Sequence, residues 1–258
     1  MCNPYSVSEL QLKELLLRLG DDCLVLAQRL GEWCGHAPIL EEDIALTNIS
    51  LDLLGRAQNF LKMAGKLHDQ VKSDDDLAFH RDPEGYRNLL LLEQPNGHFG
   101  DTICRQFLFD QYSLIVTKHL ASQTINEEIS AIASKAIKEI RYHADHSSKW
   151  MLRLGGGTAE SHEKIQNSLN NLWAFSDEMF EVDEVHSAAI DGGILPDLQI
   201  VKSQWLEGVM SIITEAGLEI PTGVDMKFGG RKGEHTPHLK EMLEVMQILP
   251  RTYPGTTW

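Results

Sequence analysis

Apolar residues recur at three- and four-residue intervals over most of this 258-residue chain, while alternating runs of strand type are scarce. That spacing lines one face of a helix, so it predicts an all-α fold. The breaks then divide the helices. Ser8 is placed to cap a first turn while Gln11 reaches back, which predicts a helix through Leu30, stopped by Gly31, Gly35 and Pro38. A second helix is predicted over about 41–68, followed by a polar break at Ser73-Asp74-Asp75-Asp76. Pro83 opens a short segment that ends in the turn signal Gln94-Pro95-Asn96-Gly97. A third long helix is predicted over about 101–122. A fourth follows Asn126, with Glu127 and Glu128 favouring the helix dipole, and stops at Gly155-Gly156-Gly157.

Two further helices are predicted over about 158–181 and 196–219, with a broken stretch around Asp191-Gly192-Gly193 between them. The last helix begins at Thr236, a capping residue, with Pro237 in the first helical position. Four long helices joined in pairs, with a long connection between the second and third, follow the plan of a ferritin-like bundle. The expectation is one domain over 1–258, with a four-helix core over about 8–155 and wrapping helices over about 158–250. The sequence contains neither repeats nor a separating linker.

A formal charge of −15 argues against a nucleic-acid partner, whose phosphates are held by clustered Lys and Arg. Cys2, Cys23, Cys34 and Cys104 form no C-x-x-C pair, so free thiols in a reducing compartment are expected. Residues 1–10 hold no basic region followed by a long apolar run, so no signal peptide is expected. The longest apolar stretch, Leu89-Leu90-Leu91-Leu92, falls far short of the roughly 20 residues a membrane span needs. A soluble, cytoplasmic protein is the expectation.

Within such a bundle, a carboxylate-bridged di-iron centre takes a Glu from each of two helices and a Glu-x-x-His from each of two others. Three-residue spacing puts acid and imidazole on one inward face. Here Asp52-Leu53-Leu54-Gly55-Arg56 and Lys138-Glu139-Ile140-Arg141-Tyr142-His143 keep the spacing and lose donors. The paired positions hold Leu53 with Arg56 and Ile140 with His143. An apolar side chain cannot bridge metals, and a guanidinium brings a positive charge and no lone pair. A mononuclear site at Glu139 and His143, with Asp145 or His146, is one alternative. A buried network in which Asp52, Arg56, Asp110, Glu139 and His143 satisfy one another is the other.

Asp183 with His186 forms a lone acid-x-x-His, and His235 with His238 a lone His-x-x-His, for which surface or capping roles are expected. Arg81, Tyr86, Arg87 and Asn88 cluster after the second helix, and Arg231 and Lys232 lie near the C-terminus. The first cluster and His186 are candidate contacts with a ligand or a partner, against a default of solvated surface.

Longer stretches carry a family resemblance. They are Arg18-Leu19-Gly20-Asp21-Asp22-Cys23-Leu24-Val25-Leu26, Gly31-Glu32-Trp33-Cys34-Gly35-His36-Ala37-Pro38, Leu51-Asp52-Leu53-Leu54-Gly55, Glu93-Gln94-Pro95-Asn96-Gly97, Lys135-Ala136-Ile137-Lys138-Glu139, and Gly229-Gly230-Arg231-Lys232-Gly233 followed by His235-Thr236. Through them nearly the whole chain resembles the non-catalytic C-subunit family of the bacterial phenylacetyl-CoA 1,2-epoxidase. The resemblance implies a degenerate di-iron site in which Gln28 stands at the first-helix acid position and Asp110 is the surviving third-helix carboxylate. It implies no cofactor on this chain and di-iron in a catalytic partner, with which the chain forms a heterodimer and a dimer of heterodimers. Small and reductase subunits complete the complex, which activates O2 reductively and epoxidises the ring of phenylacetyl-CoA in phenylacetate degradation. The alternative is a metal-binding ferritin-like oxygenase acting in its own right.

Overall fold

The computed structural model describes residues 7–256; residues 1–6, 257 and 258 lie outside the described residues, and with them the Cys2 thiol and part of the N-terminal stretch weighed for a signal peptide. The described residues contain eleven α-helices and no strand. These are α1 (Glu9–Gly31), α2 (Leu40–Lys66), α3 (Asp74–Phe79), α4 (Leu90–Glu93), α5 (Phe99–Ser122), α6 (Glu127–Gly155), α7 (Ala159–Leu172), α8 (Glu184–Asp191), α9 (Leu198–Glu215), α10 (Pro237–Met246) and α11 (Ile248–Thr252). The fold is all-α. Its four long helices come as two successive pairs, α1 with α2 and α5 with α6, which is the element order of a ferritin-like bundle. Among the described residues no helix is long and apolar enough to cross a membrane.

The chain folds into two compact units, residues 1–95 with 229–258, and residues 96–228. In the first, α1 starts where the sequence placed it. The Gln11 amide donates to Ser8 Oγ at 3.2 Å, and the Ser8 amide to Gln11 Oε1 at 3.1 Å. The α1–α2 hairpin buries Leu16, Leu26, Leu30, Leu46, Ile49 and Leu53, and Ser50 Oγ donates across it to the Ala27 carbonyl at 2.7 Å. α2 ends at Lys66, two residues before the expected His68, because the chain folds back and the Lys72 amide donates to the Gly65 carbonyl at 3.2 Å.

The stretch expected as a polar break at 73–76 is itself a helix start. Ser73 Oγ accepts from the Asp76 amide and the Asp76 carboxylate from the Ser73 amide, a capping box that opens α3. Thr236 occupies the N-cap position of α10 with Pro237 following, but its hydroxyl makes no capping bond. Its amide donates instead to Glu93 Oε1 at 2.6 Å.

The second unit is built on the α5–α6 hairpin. α5 begins two residues earlier than expected because His98 Nδ1 accepts from the Asp101 amide at 3.2 Å. Asn126 Oδ1 caps α6 by accepting from the Ile129 amide at 3.0 Å, and Gly156 follows its last residue. α7 stops at Leu172 rather than continuing to 181, since Trp173–Phe175 and Asp177–Phe180 tighten into 3-10 turns. The broken stretch near 191 is preceded by a helix, α8, too short for periodicity to reveal. Trp205 on α9 is wholly buried, donates from Nε1 to the Leu108 carbonyl at 2.9 Å, and stacks near Trp173 and Phe180 with ring centroids 5.6 and 5.3 Å away.

Gly65 shows how tightly the end of α2 is packed, because a Cβ there would lie 2.1 Å from the Lys72 carbonyl oxygen. Backbone, unlike a side-chain tip, cannot swing aside. Gly65→Ala is expected to lower unfolding free energy by about 1–3 kcal/mol in urea titrations, despite the gain in helix propensity.

Candidate functional site

The sequence places candidate residues on both long hairpins. On the first, Leu53 and Arg56 lie on the buried face of α2, 1% and 8% exposed, while Asp52 and Gln28 are half-buried. The Arg56 guanidinium lies beside the buried Cys23 thiol of α1. Burial pushes that thiol up from its ordinary value, and Arg56 pulls the other way. Cys23 is therefore an inert core thiol and not a nucleophile. Cys104 is likewise free and buried, and Cys34 free and exposed.

On the second hairpin, Ile140 and His143 are 1% exposed on the inward stripe of α6, and Glu139 is half-buried. Asp110 on α5 is 2% exposed. Its Oδ1 accepts from Gln106 Nε2 and its Oδ2 from Ser147 Oγ, both at 2.9 Å. Sequence reasoning anticipated Asp110 and missed these two partners. Gln106 sits one turn before Asp110 and Ser147 one turn after His143, so helical spacing was the available signal. Among the described residues, no three His, Cys, Asp or Glu side chains converge as metal ligands. Leu53 and Ile140 offer no lone pair, and Arg56 offers only donors.

The basic cluster expected at the surface is largely interior. Tyr86 and Asn88 are wholly buried. The Tyr86 hydroxyl donates to the Ala78 carbonyl and accepts from Gln247 Nε2, with Arg81 stacked 4.2 Å over its ring. Asn88 Nδ2 donates to Glu93 Oε2 at 3.0 Å. Arg87 is half-buried, with Nε 3.0 Å from Glu14 Oε1 and its amide 2.9 Å from Asp21 Oδ2. Arg81 reaches Asp21 through both terminal nitrogens.

Arg231 is also buried and forms a fork with Asp22, Nη1 to Oδ1 at 2.9 Å and Nη2 to Oδ2 at 2.8 Å. The reason is Asp21 and Asp22 themselves, adjacent carboxylates inside the apolar face of α1 that require cationic partners. Burial raises the Asp22 carboxyl above its ordinary range, while Arg231 and the Leu89 amide pull it down.

The imidazole pairs separate by role. Asp183 caps α8, accepting from the Val185 and His186 amides at 3.1 and 3.0 Å, and His186 is buried with Nδ1 3.1 Å from the same carboxylate. His186 therefore lies below the surface at which ligand or partner contact was expected. The His235 side chain, expected at the surface, is 3% exposed, with Nδ1 2.7 Å from Glu93 Oε2 and Nε2 3.2 Å from the Tyr86 carbonyl. His238 stays partly exposed beside Glu241.

Two comparisons bear on what this arrangement is for. A family model for phenylacetic acid catabolic proteins matches residues 4–258. The chain is similar to the C subunit of the 1,2-phenylacetyl-CoA epoxidase of Escherichia coli strain K12. The two are 48% identical over 248 residues, covering 96% of this chain and 99% of the relative.

The Asp22–Arg231 fork yields a test. Arg231→Met leaves a buried carboxylate without its cation, and the expected loss in urea unfolding is about 3–5 kcal/mol. Asp22→Leu combined with Arg231→Met removes both charges and should cost markedly less than that single change.

Proposed function

Because this chain belongs to the family of phenylacetic acid catabolic proteins and so takes part in phenylacetate catabolism, we propose that it is the non-catalytic structural subunit of a phenylacetyl-CoA epoxidase. In this reading it pairs with a di-iron catalytic subunit in the cytoplasm, stabilises that subunit and binds no iron itself. The reaction is the one the relative's name specifies, epoxidation of phenylacetyl-CoA, carried out by the assembly. Small and reductase subunits complete that assembly.

The observation that carries the reading is the chemistry of the inward positions. Leu53 and Ile140 are buried where the di-iron pattern requires carboxylates, and Arg56 stands where it requires an imidazole. Asp110, the best remaining acid, is occupied by Gln106 and Ser147. Such a donor set does not suit a dinuclear iron centre, whose bridging needs several carboxylates at once.

Co-expression with the catalytic subunit tests the pairing. An equimolar complex is expected from affinity purification through a tag on either chain. The lone chain, purified after growth in iron-replete medium, is expected to carry near-zero iron and to leave phenylacetyl-CoA unchanged when supplied with reductase and O2. Stoichiometric iron or turnover by the lone chain would favour an oxygenase acting in its own right.

A further inference from the structure

Between α5 and α6 of the second unit, Gln106 and Ser147 are 0% exposed and Asp110 is 2% exposed. Polar atoms buried this deeply nearly always have a hydrogen-bond partner, in the protein or in an ordered water. Gln106 carries one that the protein leaves unmatched. Its Nε2 donates to Asp110 Oδ1 at 2.9 Å, whereas no donor among the described residues reaches its Oε1. Turning the amide over does not help. That orientation sets Oε1 against a carboxylate oxygen, acceptor facing acceptor, and loses the bond to Asp110.

Ser147 presents a second acceptor at the same carboxylate. Its hydroxyl oxygen lies 2.9 Å from Asp110 Oδ2, 3.0 Å from the His143 carbonyl and 3.4 Å from the Ala144 carbonyl. All three neighbours are acceptors, and a hydroxyl has one hydrogen, so none of these contacts brings a donor to its lone pairs. Gln106 and Ser147 hold opposite oxygens of Asp110, which sets both acceptors around one carboxylate.

The chemistry of these atoms selects the ligand. An anion would face only acceptors and a buried carboxylate. A metal ion needs several oxygen or nitrogen lone pairs directed at one point, and each Asp110 oxygen here already takes a hydrogen from Gln106 or Ser147. A neutral molecule with one heavy atom and two hydrogens to donate meets the need, and buried waters characteristically bridge such groups.

We propose that one buried water molecule is a fixed component of the α5–α6 hairpin. It donates one hydrogen to Gln106 Oε1 and the other to Ser147 Oγ or the Asp110 carboxylate. The water belongs to this hairpin alone and stays whether or not a catalytic subunit is bound.

High-resolution diffraction from crystals of the full chain tests the site. One peak of water density is expected about 2.5–3.0 Å from Gln106 Oε1, with a second contact to Ser147 Oγ or Asp110 and no anomalous signal. In solution, magnetic relaxation dispersion of water oxygen counts long-lived internal waters, and Gln106→Met should hold one fewer than wild type. Gln204→Met, exposed on α9, should hold the wild-type number. The wild-type density decides by itself should Gln106→Met fail to fold.

A Gln106 Oε1 packed against carbon, with no peak in hydrogen-bond reach, would overturn the proposal. So would a group of the chain found donating to that oxygen, or a peak with the anomalous signal of a metal. Equal water counts in wild type and a folded Gln106→Met would overturn it as well.

Discussion

Two adjacent carboxylates, Asp21 and Asp22, are buried in the middle of α1, and the first unit is organised around satisfying them. Desolvating a carboxylate costs several kcal/mol unless cations and amides replace the lost water. Arg81 and the Arg87 amide supply Asp21, while Arg231 and the Leu89 amide supply Asp22. Glu93 extends the lattice to His235, Thr236 and Asn88, and Arg29 donates to the carbonyls of Glu93 and His238. The returning segment after residue 229 is thus held to α1 and α4 by matched charges. Burial still raises the Asp22 carboxyl against the pull of Arg231, so the pairing offsets desolvation more than it adds stability. Its stronger effect is on register: another segment docked here would leave Asp22 without its cation.

The long helices were legible because their signals are local. The Ser8–Gln11 box, the Asn126 cap and the glycines after Leu154 each lie within one turn of the boundary they set. α3 was missed because a Ser-x-x-Asp box reads as a polar break when only six residues follow it. α8 escaped for the same reason of length. The basic cluster at 81–88 and Arg231 were misplaced because their partners are distant in sequence: Asp21 lies 60 residues from Arg81, and Asp22 lies 209 from Arg231. The nearest visible clue was the acidic pair itself, out of place in an apolar helix face.

The candidate site divides in the same way. Spacing alone exposed Leu53 with Arg56 and Ile140 with His143, since helical geometry fixes which residues share a face. What surrounds them was not readable. Arg56 meets the Cys23 thiol, and Asp110 meets Gln106 and Ser147, through contacts that depend on how each hairpin closes. The α2 helix buries Leu53 and exposes Leu51 and Leu54. One helix thereby has a buried face poor in metal ligands and an outward face that carries exposed leucines.

In the proposed assembly this chain is architecture for a metal centre held elsewhere. Anomalous diffraction at the iron edge, from crystals of this chain together with the catalytic subunit, tests it most directly. One pair of iron peaks is expected in each heterodimer, within the catalytic subunit, and no peak near Leu53, Asp110, Ile140 or His143. An iron peak beside any one of those residues would overturn this reading.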